Sequence, residues 1–172
     1  MTAMLPLIAR PTRRAAWRTM RLWTLVLAAN LVGTALTTAA LVAFPLVDPM
    51  VGDGVSTVAE LVLKKDAAAT FATAIPAGFL IAGLAWALPN AREHAFFVVF
   101  AITWLVGATG LSHSVVGSAE AFLLVWEGRM ALTTALGSEV LPAVAGNLVG
   151  GAGLFAITAH GQVRGELAKT EA

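Results

Sequence analysis

Polar and apolar positions along this chain fall into long blocks, not into the alternation of a strand or the one-sided stripe of a surface helix. Apolar stretches run at about residues 22–44, 67–88, 95–126 and 139–160, divided by short polar patches. A helix needs about 20 such residues to cross a bilayer, so each block predicts a transmembrane helix. The third block differs, because it holds 32 residues. As one straight helix it would be about 48 Å long, against a hydrocarbon core of about 30 Å. The length predicts a break, and Gly107, Gly110 and Gly117 place it in the middle. That block also carries His113 and Glu120, its only ionisable side chains. An ionisable group inside a membrane span is expensive and marks a functional site.

The flanks set the orientation. Residues 1–20 form a basic arm with Trp17 at headgroup level, and Arg10, Arg13, Arg14, Arg18 and Arg21 all precede the first apolar block. The first span stops at Pro45, and a polar connection follows in which Ser56 to Leu63 is expected to form a short amphipathic helix. The second span contains Pro76, and residues 89–94 make a tight turn. Residues 127–137 are expected to form a loop, with Ser138 capping the fourth span, and 161–172 a polar tail. Counted over these flanks, one side carries eight Lys and Arg residues and the other three. Both termini are therefore expected to be cytoplasmic, in a multi-pass inner-membrane protein.

Composition narrows the function classes. The 172 residues are 58% hydrophobic and 12% charged, with mean hydropathy +0.82. Soluble domains carry about 25% charged residues, so the chain reads as an all-α membrane protein whose first partner is the lipid bilayer, with no nucleic acid. The absence of cysteine excludes disulfides and thiolate metal or redox sites. No nucleophile triad, phosphate loop or metal-ligand cluster is present, which argues against an enzyme and leaves no cofactor to assign. Haem held between helices would need histidines at one depth, yet His94 and His160 lie at span ends and His113 at a centre.

The first span contains Asn30-Leu31-Val32-Gly33 and the fourth Asn147-Leu148-Val149-Gly150, the same four residues offset by 117. The two copies would cross the membrane in opposite directions, as in the inverted-topology repeats of transporters. If spans two to four make one three-span unit, the first span closes an equivalent unit whose other two spans have no room before residue 20. The chain then reads as the last four helices of a six-helix, two-repeat protein.

Gly110-Leu111-Ser112-His113-Ser114-Val115 resembles the Gly-Phe-Glu-His-Ser-Val stretch in the fifth helix of the formate/nitrite transporter family, and Gly146-Asn147-Leu148-Val149-Gly150-Gly151 resembles the Gly-Asn-x-x-Gly-Gly of its sixth. The stretch from Arg21 to Gly33 resembles its third helix, and Ala77-Gly78-Phe79-Leu80 its fourth. The resemblance implies an aquaporin-like inverted-repeat fold, assembled as a pentamer whose protomers each conduct small monovalent weak-acid anions such as formate or nitrite, and with them protons. It places His113 at the central pore histidine, as a hydrogen-bond or proton donor to the passing anion. The chain departs from the family at Ser112, where Glu is usual, at Gly117, where Asn is usual, and at Val106, where a constricting Phe is usual. Glu120 has no counterpart in the well-known formate channels, and the second-helix loop with its Thr is absent.

Candidate pore residues are therefore His113, Ser112, Ser114, Val106, Gly110, Gly117 and Glu120. Glu120 lies seven residues after His113, on about the same helix face, and is read either as an acid at the pore mouth or as a partner of Arg129 or of a neighbouring protomer. Asn30, Gly33, Asn147 and Gly150 are read as helix-packing residues, the asparagines as hydrogen-bonding glue between small residues. The alternative reading of the whole chain is an N-terminally truncated, non-conducting membrane fragment or structural remnant.

Overall fold

The computed structural model describes residues 12–161, and the structural statements below concern those residues. The start of the basic arm and the polar tail lie outside them. The regular elements of the described residues are all helices, without strands, and three of them are long and apolar enough to cross a membrane.

Helix α1 spans Arg13–Ala43. Thr12 caps it, its Oγ1 accepting from the Ala15 N–H at 3.1 Å, and it ends at Phe44, extended as the residue before a proline prefers. The helix thus takes in residues 13–20 of what the sequence read as an arm. Nothing between Arg13 and Leu22 breaks a helix, and Arg, Ala and Met favour one. Helix α2, Pro49–Ala59, has Pro49 at its first position and Asp48 as its cap, which accepts from the Met50 N–H at 2.9 Å; a 3-10 turn, Glu60–Lys64, extends it. It begins ahead of the expected Ser56 because Asp-Pro is a stronger start signal than the later apolar pattern.

Helix α3, Ala67–Ala87, is capped by Asp66, whose Oδ1 accepts from the Ala69 N–H at 2.7 Å, and it runs through Pro76. The long apolar block is broken, as its length requires: α4 covers Ala95–Ala108 and α5 Ser114–Trp126. Helix α6 runs over Leu132–Gly161 with two wide π-helical turns, Ala135–Val140 and Val149–Phe155. It therefore starts ahead of the expected Glu139, and Ser138 sits inside it instead of capping it. Pro142 explains the first wide turn, since it lacks an N–H and its ring would strike the carbonyl four residues back.

Packing divides the molecule in two. Helices α3 and α6 lie side by side in the same direction, pairing Thr70 with Glu139, Ala74 with Asn147 and Gly83 with Phe155. Their seam is glycine-lined because nothing larger fits. A Cβ on Gly146 would meet the Phe71 carbonyl, one on Gly150 the Ile75 carbonyl, and one on Gly78 the backbone of Asn147. Helix α1 packs on α5 instead. Thr34 Oγ1 and Ser118 Oγ share a hydrogen bond of 3.2 Å, and the Trp126 indole N–H donates to the Ala35 carbonyl at 3.0 Å. Most of the large apolar side chains on α1, and Phe96, Phe97 and Phe100 on α4, are exposed, as lipid-facing residues are.

Candidate functional site

The break between α4 and α5 is built by local signals and fixed by a distant one. Helix α4 ends in a Schellman motif: Leu111 N–H donates to the Val106 carbonyl and Gly110 N–H to the Gly107 carbonyl, both at 3.1 Å. Gly110 has φ +64°, the left-handed conformation that the motif needs and glycine adopts without penalty. Residues 109–113 carry the chain across to α5, whose N-cap is His113 in extended conformation.

Asn147, on α6, straddles this break. Its Oδ1 accepts from the Ser114 N–H at 2.9 Å, while its Nδ2 donates to the Ser112 carbonyl at 3.1 Å and to the Ala74 carbonyl on α3 at 2.8 Å. One side chain therefore holds the residues on both sides of His113 and ties them to α3. Asn147 is cross-helix glue, and it is also the substitute for the missing side-chain cap of α5. Its sequence twin behaves differently. Asn30 Nδ2 donates to the Val26 carbonyl of its own helix at 2.8 Å, and nothing lies within 4 Å of a Cβ built on Gly33. A shallow cavity of about 290 Å³ runs along that face, past Asn30, Gly33 and Thr37.

A second cavity of about 290 Å³ opens beside the break. His113, Ser112, Gly110, Gly117, Glu120 and Val106, six of the seven pore candidates, line it. The seventh, Ser114, contributes its backbone N–H to Asn147 instead. His113 is half-buried, and its Nδ1 is buried without a hydrogen-bond partner among the described residues. Three further residues at this site went unread in the sequence, two of them on the wall and Thr73 behind it. Lys65, just ahead of α3, reaches in so that its ammonium donates to the Gly110 carbonyl and, at 3.0 Å, to Ser112 Oγ. Thr73 shares a 3.0 Å hydrogen bond with the same Ser112 hydroxyl. Glu139, 3% exposed, accepts from Thr70 Oγ1 at 3.1 Å, and its Oε1 occupies the place that a Cβ at Gly117 would take. The signals were present as a lysine pair directly before a span and a lone carboxylate near the start of another.

Where α5 meets α6, Arg129 pairs with Glu60 and, at 3.2 Å, with Glu127, whose other oxygen accepts from Ser56 Oγ at 2.5 Å. The bond from Glu60, then that from Glu127, holds the Arg129 guanidinium above its ordinary pKa. Arg129 is thus bonded to carboxylates other than Glu120, which faces the cavity. Small clusters of Ala59 with Leu123 and Leu124, and of Val62 with Ala121 and Ala135, seat α2 over this end. Val58, Leu61 and Val62 line the cavity there. Among the described residues no three His, Asp or Glu side chains converge as a metal ion would require.

Comparison with known proteins covers almost the whole chain. The family described as formate/nitrite transporter matches residues 1–161. The inner membrane protein YfdC of Escherichia coli (strain K12) is 33% identical over 166 residues, which are 96% of this chain and 54% of that protein. The chain therefore spans about half the length of the curated relative it matches. No solved structure matches it.

Proposed function

We propose, because this chain belongs to the formate/nitrite transporter family, that it conducts small monovalent weak-acid anions of the formate or nitrite kind across the inner membrane, with His113 as the hydrogen-bond or proton donor to the passing anion. The observation that carries this reading is His113 itself. It sits in a helix break clamped on both sides by Asn147, lines a cavity, and keeps an unpartnered Nδ1. A weak-acid anion crosses hydrocarbon far more readily once neutralised, and imidazole exchanges a proton near neutral pH. The Lys65 ammonium over the break and the N-terminal end of α5 beneath it both favour an anion there. The Ser112 hydroxyl is a further polar group along the path, and Val106 supplies an apolar wall.

In this reading the protein is a multi-pass pentamer in the lipid bilayer, both termini cytoplasmic, with protons and small anions as its partners. The test is uptake of labelled formate and nitrite into liposomes carrying the purified protein, at about pH 5 and about pH 8. Uptake is expected to be faster at the acid end, and His113→Asn is expected to abolish that difference. A pH dependence left unchanged by the substitution refutes the role given to His113. A second reading, a non-conducting fragment or structural remnant, draws on the open face at Asn30 and Gly33. Liposomes that take up neither anion at either pH would favour it.

A further inference from the structure

Glu120 and Glu139 are carboxylates for which the reading above has no use. Both line the cavity beside His113, on different helices, and the Glu139 carboxylate lies against Gly117, one helical turn before Glu120. Glu139 is almost fully buried with one hydroxyl partner, and among the described residues neither carboxylate has a cation within ion-pair distance. The charges around them are few. Lys65 is the cation on the same wall, bonded to Gly110 and Ser112, and His113 is the imidazole. The membrane stretches of α1, α3 and α4 contribute no ionisable side chain. Glu60 and Glu127, at the end of the bundle, both bond to Arg129. Lys64 and Asp66 are exposed outside the cavity.

We propose that Glu120 and Glu139 hold one proton between them, and that the cavity admits a small weak-acid anion only together with that proton. The argument is one of charge in a low-dielectric wall. With both carboxylates ionised, two negative charges face one ammonium, and an entering anion would be a third negative charge. With one proton on the pair, Lys65 balances the remaining carboxylate and the wall is neutral toward the anion. Two carboxyl groups that share a site resist ionising together, which makes such a pair a natural single-proton store. The Glu139 carboxylate reaches the cavity through space that exists because residue 117 is glycine. Proton and anion then move together: the carboxyl pair passes its proton to the His113 imidazole on the same cavity, the imidazole gives its own to the anion, which leaves as the neutral acid, and the pair takes up a new proton from the side the anion entered.

This rests on the anion-conducting reading, and one experiment separates the two. Liposomes carrying the intact protein and an internal pH dye, given an inward formate gradient and corrected for protein-free vesicles, report proton and anion uptake together. The expected result is one proton per anion with no net current. Glu120→Gln and Glu139→Gln each leave a single carboxylate that Lys65 already balances, so the ratio is expected to fall from one toward none as a current appears. Glutamine at 139 keeps the acceptor for Thr70. A ratio of one retained in both variants overturns the shared-proton site. Formate current without proton uptake in the intact protein also overturns it, while leaving conduction standing; no formate uptake at all removes both. Difference infrared spectra of the intact protein supply a readout independent of the variants' folding. A protonated-carboxyl C=O band that shifts on adding formate is expected, and its absence refutes the proposal.

Discussion

Truncating each of the two twin asparagines should have opposite consequences. Asn147→Ala removes three hydrogen bonds, two donated to carbonyls on other segments and one accepted from the first N–H of α5. Side-chain hydrogen bonds between membrane helices average about 0.6 kcal/mol, so the two donated bonds account for about 1 kcal/mol. The third acts as a helix cap, whose loss costs about 1 kcal/mol more. The total, about 2 kcal/mol, is a factor of about 30 in the folded-to-unfolded ratio. Asn30→Ala removes one bond to a carbonyl of its own helix, which already has its helical partner available. Alanine is also the better helix former by up to about 0.7 kcal/mol, so the net change is near zero or slightly stabilising. Reversible unfolding in mixed detergent micelles, followed by circular dichroism, measures both. Equal losses for the two variants, or a loss below about 0.5 kcal/mol for Asn147→Ala, would refute the claim that the side chain at 147 holds the break together.

The glycines give a second contrast of the same kind. Gly150→Ala drives a methyl into the Ile75 carbonyl and is expected to cost about 1–3 kcal/mol as α3 and α6 separate. Gly33→Ala meets open space and should raise stability by up to about 1 kcal/mol; thermal melts of the two variants moving in the same direction would contradict the packing described. Gly110→Ala forces an L side chain to φ +64° and is expected to cost about 1–2 kcal/mol, with Gly110→Asn costing less; equal melting temperatures for the glycine and alanine forms would show that the Schellman turn had rearranged.

The sequence carried the break at Gly110 to His113 because length and bilayer thickness conflict over residues 95–126, and that conflict needs no tertiary knowledge. It also carried the asparagine motif, though not its use. Whether an asparagine bonds its own helix or bridges three segments depends on what lies opposite, and Asn30 and Asn147 open the same four residues, Asn-Leu-Val-Gly. The same limit hid Lys65, Thr73 and Glu139. Lys65 belongs to a flank, Glu139 to a span end and Thr73 to a span interior when read along the chain; they come together because the break and α6 both pack on the start of α3. The early start of α6 went unread for a related reason. A proline at 142 normally marks a helix boundary, and the wide turn that accommodates it leaves no compositional trace.

Asn147 lies at once on the glycine seam and on the helix break, and this joins two properties that evolution and engineering usually treat as separate. The resting position of residues 112–114 is fixed by where α6 crosses α3 as well as by the loop's own sequence. A substitution deep in the seam, out of reach of any permeating molecule, is thus a way to re-aim the imidazole. Under the proposed anion-conducting function, selectivity would be tuned by adjusting how two helices cross, leaving the histidine and its neighbours untouched.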